Sequence, residues 1–417
     1  MAIKTISDID VVGKRVLMRV DFNVPLKDGA IADDHRIVMA LPTIQAVLDA
    51  GGRLVLASHL GRPRGEGFEE ALSLKPVAQR LGELLGKPVQ LGPPEVVGDA
   101  AVAMAGSLAD GEVMLLENVR FCAGETMPGK AKKNPDKTLS DPQKAIHAQF
   151  VADLATLGDV YVNDAFGTCH RKHASMFGVA EAIKAAGGQA VAGLLVEKEI
   201  KYLHKAVADP ARPFVAILGG VKVCDKIKLI RSLLKIVDRI LIGGAMAYTL
   251  LKARGHTVGG SLVEVDQVDA MADLLAEAGE KILLPVDHVA ASDFKSDQPL
   301  TVEDVDIPDG LLGMDIGPAS VQAFADVIGS AKTIVWNGPM GVFERSPYAA
   351  GTRAVAEAVA AATDGGAFSV IGGGDSAAAV EQMGLAERMT YVSTGGGASL
   401  TYLEGKPMPP LEVLDHT

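Results

Sequence analysis

Residues 15–62 read RVLMRVDFNVPLKDGAIADDHRIVMALPTIQAVLDAGGRLVLASHLGR, and the punctuation of this stretch decides the fold. Arg15–Val20 is a short, mostly apolar run that stops at the polar turn Asp21-Phe22-Asn23. Ile37–Ala50 spaces its apolar residues along one face of a helix. Leu54–Ser58 is a second apolar run, and it stops at His59-Leu60-Gly61-Arg62. A strand, a helix and a strand in this order predict a βαβ unit with parallel strands.

The same rhythm extends in both directions. Further strand-like runs are Val113–Leu116 and Val160–Asn163, then Phe214–Leu218, Arg239–Ile242, Ile282–Pro285, Thr333–Trp336 and Phe368–Ile371. Amphipathic segments such as Lys75–Leu85, Ile227–Val237 and Val265–Ala278 lie between them. The expected fold is α/β, with two doubly wound parallel-sheet (Rossmann-like) domains joined by a hinge helix. Glu181–Ala211 carries no strand signal, reads as helical over Val191–Val207, and ends at Asp209-Pro210-Ala211-Arg212-Pro213. The domain boundary is therefore expected at 190/191. Pro407, Pro409 and Pro410 argue against a long terminal helix. Lys130–Lys137, charged and interrupted by Pro135, is expected to be a surface loop.

With 417 residues, 48% of them hydrophobic, the chain can bury more than one core. Its net charge of −12 argues against nucleic acid as a general partner. No run approaches the roughly 18 apolar residues of a membrane span, and Met1–Asp10 lacks the apolar core of a secretion signal. Three cysteines, Cys122, Cys169 and Cys224, are too few and too odd for a disulfide scaffold and fit the cytoplasm.

Ligands of open parallel sheets bind beyond the carboxyl ends of the strands, so the residues that follow each run mark two binding edges. The first edge is basic, with Arg36, His59, Arg62, Arg120, His170 and Arg171. Converging guanidinium groups suit phosphate or carboxylate. The second is glycine-rich, with Gly219-Gly220, Gly243-Gly244, Asn337-Gly338-Pro339 and Gly372-Gly373-Gly374 beside Lys222, Lys226, Asp375 and Ser376. A glycine turn opening the helical run Ala377–Met383 reads as a phosphate cradle, or as an ordinary turn capped by Asp375 or Ser376. It also fits Gly-x-Gly-x-x-Ala, but Arg388–Leu403 lacks the ribose-binding acid of dinucleotide folds, and no Walker A loop occurs. The cysteines have no zinc spacing, and His170 and His173 flank Arg171 and Lys172, which disfavour a cation. Asp375 is the candidate contact for a magnesium ion carried by a nucleotide. No Gly-x-Ser-x-Gly elbow supports a serine hydrolase. A nucleotide-binding oxidoreductase and a non-catalytic two-domain binding protein remain as other classes.

Taken together, several segments resemble the phosphoglycerate kinase family. They are Arg19–Pro25, Asp34–Ile37, Ser58–Pro63, Leu116–Phe121, Val162–Thr168, Leu218–Lys226, Trp336–Glu344 and Gly372–Asp375, in order along nearly the whole chain. The resemblance implies a first domain, 1–190 with the tail 403–417, that binds 3-phosphoglycerate or 1,3-bisphosphoglycerate. Asp21, Phe22, Asn23, Arg36, His59, Leu60, Gly61, Arg62, Arg120 and Arg171 would hold it. It implies a second domain, 191–402, that binds ATP or ADP with Mg2+ through Gly219, Lys222, Lys226, Gly244, Gly313, Glu344, Gly373, Gly374, Asp375 and Ser376. It also implies a cytoplasmic monomer. For phosphoryl transfer the expected catalytic groups are Arg36 and Lys222, with backbone N–H groups at Gly373 and Gly396. Departures from the family pattern are an insertion near Lys130–Asp141, an enlarged Gly187–Gly193, and Cys169 and Cys224 in place of small residues. Cys224 lies between Lys222 and Lys226, whose charges favour a thiolate, so a reactive thiol and an inert buried one are both open.

Overall fold

Strands β1 (Arg15–Val20), β2 (Arg53–Ala57), β3 (Gln90–Leu91), β4 (Val113–Leu115), β5 (Val160–Asp164) and β6 (Gln189–Ala192) form a parallel sheet in the order β3-β4-β2-β1-β5-β6. β1 is central and buried on both faces, so its sequence is a continuous run and not an alternation. Val16, Met18 and Val20 pack with Leu54 and Leu56 of β2 and with Ile37 and Ile44 of the helix His35–Asp49. The structure is a computed structural model and describes residues 3–134 and 137–417.

A second parallel sheet contains β7 (Phe214–Leu218), β8 (Arg239–Ile242), β9 (Ile282–Leu283), β10 (Thr333–Asn337), β11 (Phe368–Ile371) and β12 (Tyr391–Val392), in the order β9-β8-β7-β10-β11-β12. Its core gathers Trp336 of β10 with Phe324 and Ile328 of the helix Pro318–Ser330 and Val355 and Val359 of the helix Ala350–Asp364. A small antiparallel sheet, in which His288–Ala291 pairs with Leu300–Val302 and with Leu312–Ile316, belongs to the same unit.

The chain divides into one unit of Met1–Ile200 with Pro407–Thr417 and another of Lys201–Lys406. The division thus falls inside the helix Leu194–Ala208, and not at residue 190. The segment expected to lack a strand contains β6, and the helix starts at Leu194 because Gln189–Ala192 is hydrogen-bonded beside β5. Residues 403–406 lie in the second unit. From Pro407 the tail joins the first, where Asp415 N–H donates to Ala190 O (2.7 Å), Asp415 pairs with Lys184 (2.9 Å), and Asn163 donates to Pro410 O (3.1 Å). The tail holds only the short helix Pro409–Glu412. Part of the expected surface loop is the 3-10 turn Met127–Lys133, and Pro135 and Asp136 lie outside the described residues.

Each sheet has one place where successive connections leave in opposite directions. In the first sheet the chain moves from β1 outward to β2 and returns to β5 on the other side of β1. In the second it moves from β7 to β8 and returns to β10. The crevices beyond β1/β5 and β7/β10 are therefore where each sheet is open to a ligand.

Candidate functional site

Beyond β1, Asp21, Asn23, Arg36, His59 and Gly61 are tied together. Arg36, the second residue of its helix, donates from Nη1 to Asp21 Oδ2 (2.7 Å). Asn23 Oδ1 accepts the Gly61 N–H (2.8 Å), and Arg120 Nη1 donates to Gly61 O (2.7 Å). Phe22 and Leu60 differ from expectation. Their side chains are buried in the core, because each follows a central strand into the sheet's apolar layer, so only their backbone can face a ligand. Arg62 and Arg171 are exposed, and Arg171 donates to His170 Nε2 (2.9 Å).

Sequence reasoning left Arg19 out of the site, yet it lies beneath these groups and is fully buried. It donates to Ser175 Oγ (2.8 Å) and to Val20 O, and contacts His59 Nδ1 (3.0 Å). Ser175 in turn donates to buried Glu125 (2.7 Å). A guanidinium only donates, so His59 Nδ1 accepts and the ring proton sits on Nε2. Burial holds His59 well below its ordinary pKa, with Arg19 and Arg120 adding to it against the pull of Asp21. The 3.9 Å approach of His59 Nδ1 to Asp21 is thus not an ion pair. Burial also lowers His170 and His173 to about 4 and Arg120 to about 10, with neighbouring arginines contributing. Burial alone would raise Asp21, but the guanidinium groups of Arg36 and Arg19 hold it below the usual carboxylate range. The crevice is a set of hydrogen-bond donors with more positive than negative charge, and Arg120 Nε has no partner among the described residues.

Asp164, at the end of β5, has a different task. Its Oδ1 accepts the N–H groups of Leu195 (3.0 Å) and Val196 (3.3 Å), capping the helix Leu194–Ala208. Burial raises Asp164 to about 7, and Asp315 in the second unit likewise. An unfolded Asp titrates near ~3.9. Between these values the folded chain holds a proton that the unfolded chain has lost, so stability falls as pH rises through that window. One such proton makes stability fall by about 1.4 kcal/mol for each pH unit crossed, and Asp164→Asn is expected to remove that slope. Urea midpoints at pH 5 and pH 8 measure it, and an unchanged difference would exclude Asp164 as a source.

Beyond β7 and β10, an open depression of about 470 Å³ is lined by Gly220, Lys222, Lys226, Gly373, Gly374, Asp375, Ser376 and Gly396, with Asp225, Asn337, Gly338 and Leu400. Gly219 and Gly244, also expected at this site, do not line it but pack closely against residues around it: a Cβ on Gly219 would lie 2.0 Å from Pro339 O, and one on Gly244 2.4 Å from the N of Gly220, which does line it. Gly373 has φ +95° and precedes the helix Gly374–Gln382, so unpaired N–H groups face the depression beside exposed Asp375. Lys226 Nζ bridges the ends of β7 and β10 through Gly219 O (2.5 Å) and Asn337 O (2.9 Å). Burial lowers it to about 8, against the pull of Asp375 and Asp225. Ser376 Oγ accepts the Gly338 N–H (2.5 Å). Lys222 is exposed, with no hydrogen bond or ion pair among the described residues.

Gly313 and Glu344 do not line this depression. Gly313 lies on the antiparallel sheet, gives its N–H to Ser261 Oγ (2.9 Å), and is covered by Tyr248, whose hydroxyl oxygen a Cβ would meet at 2.1 Å and whose ring at 2.3 Å. Glu344 is exposed in the turn after β10. Neither picture of Cys224 holds. Its thiol is exposed and donates to Asp225 Oδ1 (3.8 Å), yet it is pushed up to about 11, chiefly by the neighbouring Glu264 carboxylate, which outweighs Lys222. No group of three His, Cys, Asp or Glu side chains suited to a metal occurs among the described residues.

Residues 6–406 match the family model described as phosphoglycerate kinase. The phosphoglycerate kinase of Lactobacillus gasseri is 52% identical over 409 residues, 98% of each chain. That of Leuconostoc mesenteroides is 50% identical over 414 residues, again 98% of each. The solved phosphoglycerate kinase from Coxiella burnetii is 38% identical with a TM-score of 0.82, covering 99% of this chain and 98% of that one. The one from Pyrococcus horikoshii is 33% identical with a TM-score of 0.83 over the same shares. With the two crevices, these similarities lead to one conclusion: the chain belongs to the phosphoglycerate kinase family.

Proposed function

We propose that this chain transfers a phosphoryl group reversibly between 1,3-bisphosphoglycerate and ADP, giving 3-phosphoglycerate and ATP. The observation that carries the reading is the pairing of an arginine-rich basic crevice in one unit with a glycine-lined, lysine-flanked depression in the other. Arg36, His59, Arg62, Arg120 and Arg171, with Asp21 and Asn23, hold the phosphoglycerate. Lys222, Lys226, Gly373, Gly374 and Asp375 hold the nucleotide, and Ser376 positions Gly338.

The chemistry explains why neither crevice needs a general base. Toward ATP consumption the nucleophile is the carboxylate of 3-phosphoglycerate, already ionised at neutral pH. Toward ATP synthesis it is the terminal phosphate of ADP, also ionised. Catalysis then consists of alignment and of stabilising charge on the transferring group. Arg36 and Lys222 supply positive charge, and the N–H groups around Gly373 and Gly396 supply fixed dipoles. Two carboxylates, Asp225 and Asp375, line the depression beside those N–H groups, a donor set that fits magnesium arriving with the nucleotide. Asp375 would hold that ion, which screens the phosphate charges.

The half-sites belong to separate units, so transfer requires closure, which also keeps water from the acyl phosphate. Small-angle scattering with both substrates is expected to give a smaller radius of gyration than without them, and an unchanged radius would count against closure. The three free cysteines fit a reducing cytoplasm, and we expect a monomer, which sedimentation tests. The reaction itself is tested by ADP release from MgATP with and without 3-phosphoglycerate, the acyl phosphate being trapped by hydroxylamine. Release that needs both substrates supports the reading. Nucleotide binding without turnover would overturn it in favour of a binding protein.

A further inference from the structure

The loop Gly219–Lys226 carries Lys222 beside the depression and is fastened at both ends. At its start, Gly219 and Gly220 give their N–H groups to Asn337 O (3.0 Å) and Pro339 O (3.1 Å). At its end, Lys226 Nζ binds Gly219 O and Asn337 O. Between these anchors the Val223 side chain is buried, and residues 221–225 receive one outside hydrogen-bond partner among the described residues. Glu264 Oε2 accepts the N–H groups of Val223 (2.5 Å) and Cys224 (3.2 Å). Glu264 is itself fixed, since its N–H donates to Thr249 Oγ1 (3.1 Å), and Thr249 is buried on the helix Met246–Ala253. Lys222 makes no hydrogen bond or ion pair of its own among the described residues, so its direction is set by the backbone around it.

We propose that Glu264 is a positioning residue for phosphoryl transfer, holding the backbone of Val223 and Cys224 so that Lys222 meets the transferring group. This rests on the reading of Lys222 as the charge stabiliser. The carboxylate oxygen supplies a charge-assisted acceptor for two adjacent N–H groups. Losing it removes the hydrogen bonds that orient the peptide after Lys222, while both anchors and the buried Val223 side chain remain. Displacement of a catalytic group by about 1 Å can cost on the order of 10² in rate. The same carboxylate keeps the exposed Cys224 thiol protonated, which gives a chemical readout independent of turnover.

The experiment compares E264A, E264Q, K222A and the E264A/K222A double variant with wild type in the full chain. Two readouts are kcat and KM under saturating cosubstrate and the rate of Cys224 alkylation by iodoacetamide, followed by peptide mass without nucleotide. Cys122 is pushed up to about 12 and Cys169 is buried, so Cys224 dominates the alkylation. E264A is expected to lower kcat at least about tenfold with KM for 3-phosphoglycerate unchanged. E264Q keeps an oxygen acceptor and is expected to recover most of that loss. Both variants are expected to alkylate faster. In the K222A background, E264A is expected to add little. If E264A costs its full factor on top of K222A, or costs nothing while K222A is slow, Glu264 does not act through Lys222 and the proposal is overturned. If K222A keeps wild-type kcat, the charge role of Lys222 falls, and this proposal with it. Should E264A fail to fold, E264Q carries the test: faster alkylation with KM and fold retained supports the contact, and an unchanged alkylation rate overturns it.

Discussion

Arg36→Ala is expected to lower kcat by on the order of 10²–10³, about 3–4 kcal/mol of barrier, with little loss of stability. The two halves of this expectation have different causes. Arg36 is half-exposed and makes one ion pair, with Asp21. Arg19 still faces the largely buried Asp21 carboxylate when Arg36 is gone, so the loss is expected at about 1 kcal/mol and melting should move by only a few degrees. Its Nε and Nη2 donors are not engaged by the protein among the described residues, leaving a fork open beside the basic crevice. Charge that builds on the transferring phosphoryl would meet that fork only in the transition state, and interactions of this kind act on kcat. Arg36→Lys should recover little, because an ammonium cannot reproduce the planar fork while still paired with Asp21. Steady-state kinetics at saturating substrates, with a melting curve on each variant, makes the comparison. A variant with near wild-type kcat would remove Arg36 from the reaction.

The central strands of the two sheets were readable because β1, β5, β7 and β10 lie between two helical layers and appear as unbroken apolar runs. Of the parallel strands, those that escaped, β3, β6 and β12, are peripheral. β3 and β12 have two residues each, and β6, Gln-Ala-Val-Ala, is alanine-rich and reads like the helix that follows it. The binding edges were legible for a topological reason: ligand groups follow strand ends. The supporting groups were not. Arg19 meets Ser175 across 156 positions, and Glu264 meets Val223 across 41. No local pattern predicts such pairings, although a charged residue inside the apolar run of β1 was a signal that a buried counterpart exists. Gly313 and Glu344 stand apart from the depression: the family resemblance places them at the nucleotide, while the lining of the depression comes from the ends of β7, β10, β11 and β12 and the turns that follow them.

Lys222→Ala carries the other large effect, also on the order of 10²–10³ in kcat, and its interest lies in the contrast with Lys226. The two lysines are four residues apart in one loop, but the fold uses them oppositely. Lys226 is spent on backbone: its ammonium joins the ends of β7 and β10, and its removal would leave Gly219 O without this donor and Asn337 O with the Gly219 N–H. Lys226→Ala should therefore lower stability by about 1–3 kcal/mol and deform the floor on which nucleotide rests, raising KM for MgATP. Lys222 stabilises nothing in the unliganded fold, being exposed and unpartnered among the described residues. Removing it should leave melting within about 0.5 kcal/mol of wild type while slowing transfer. A melting curve and a kcat/KM split on both variants separate the two roles in one series. If Lys222→Ala instead raised KM for nucleotide without lowering kcat, the lysine would be binding ground-state phosphate, and charge stabilisation would rest on Arg36 and the glycine N–H groups alone.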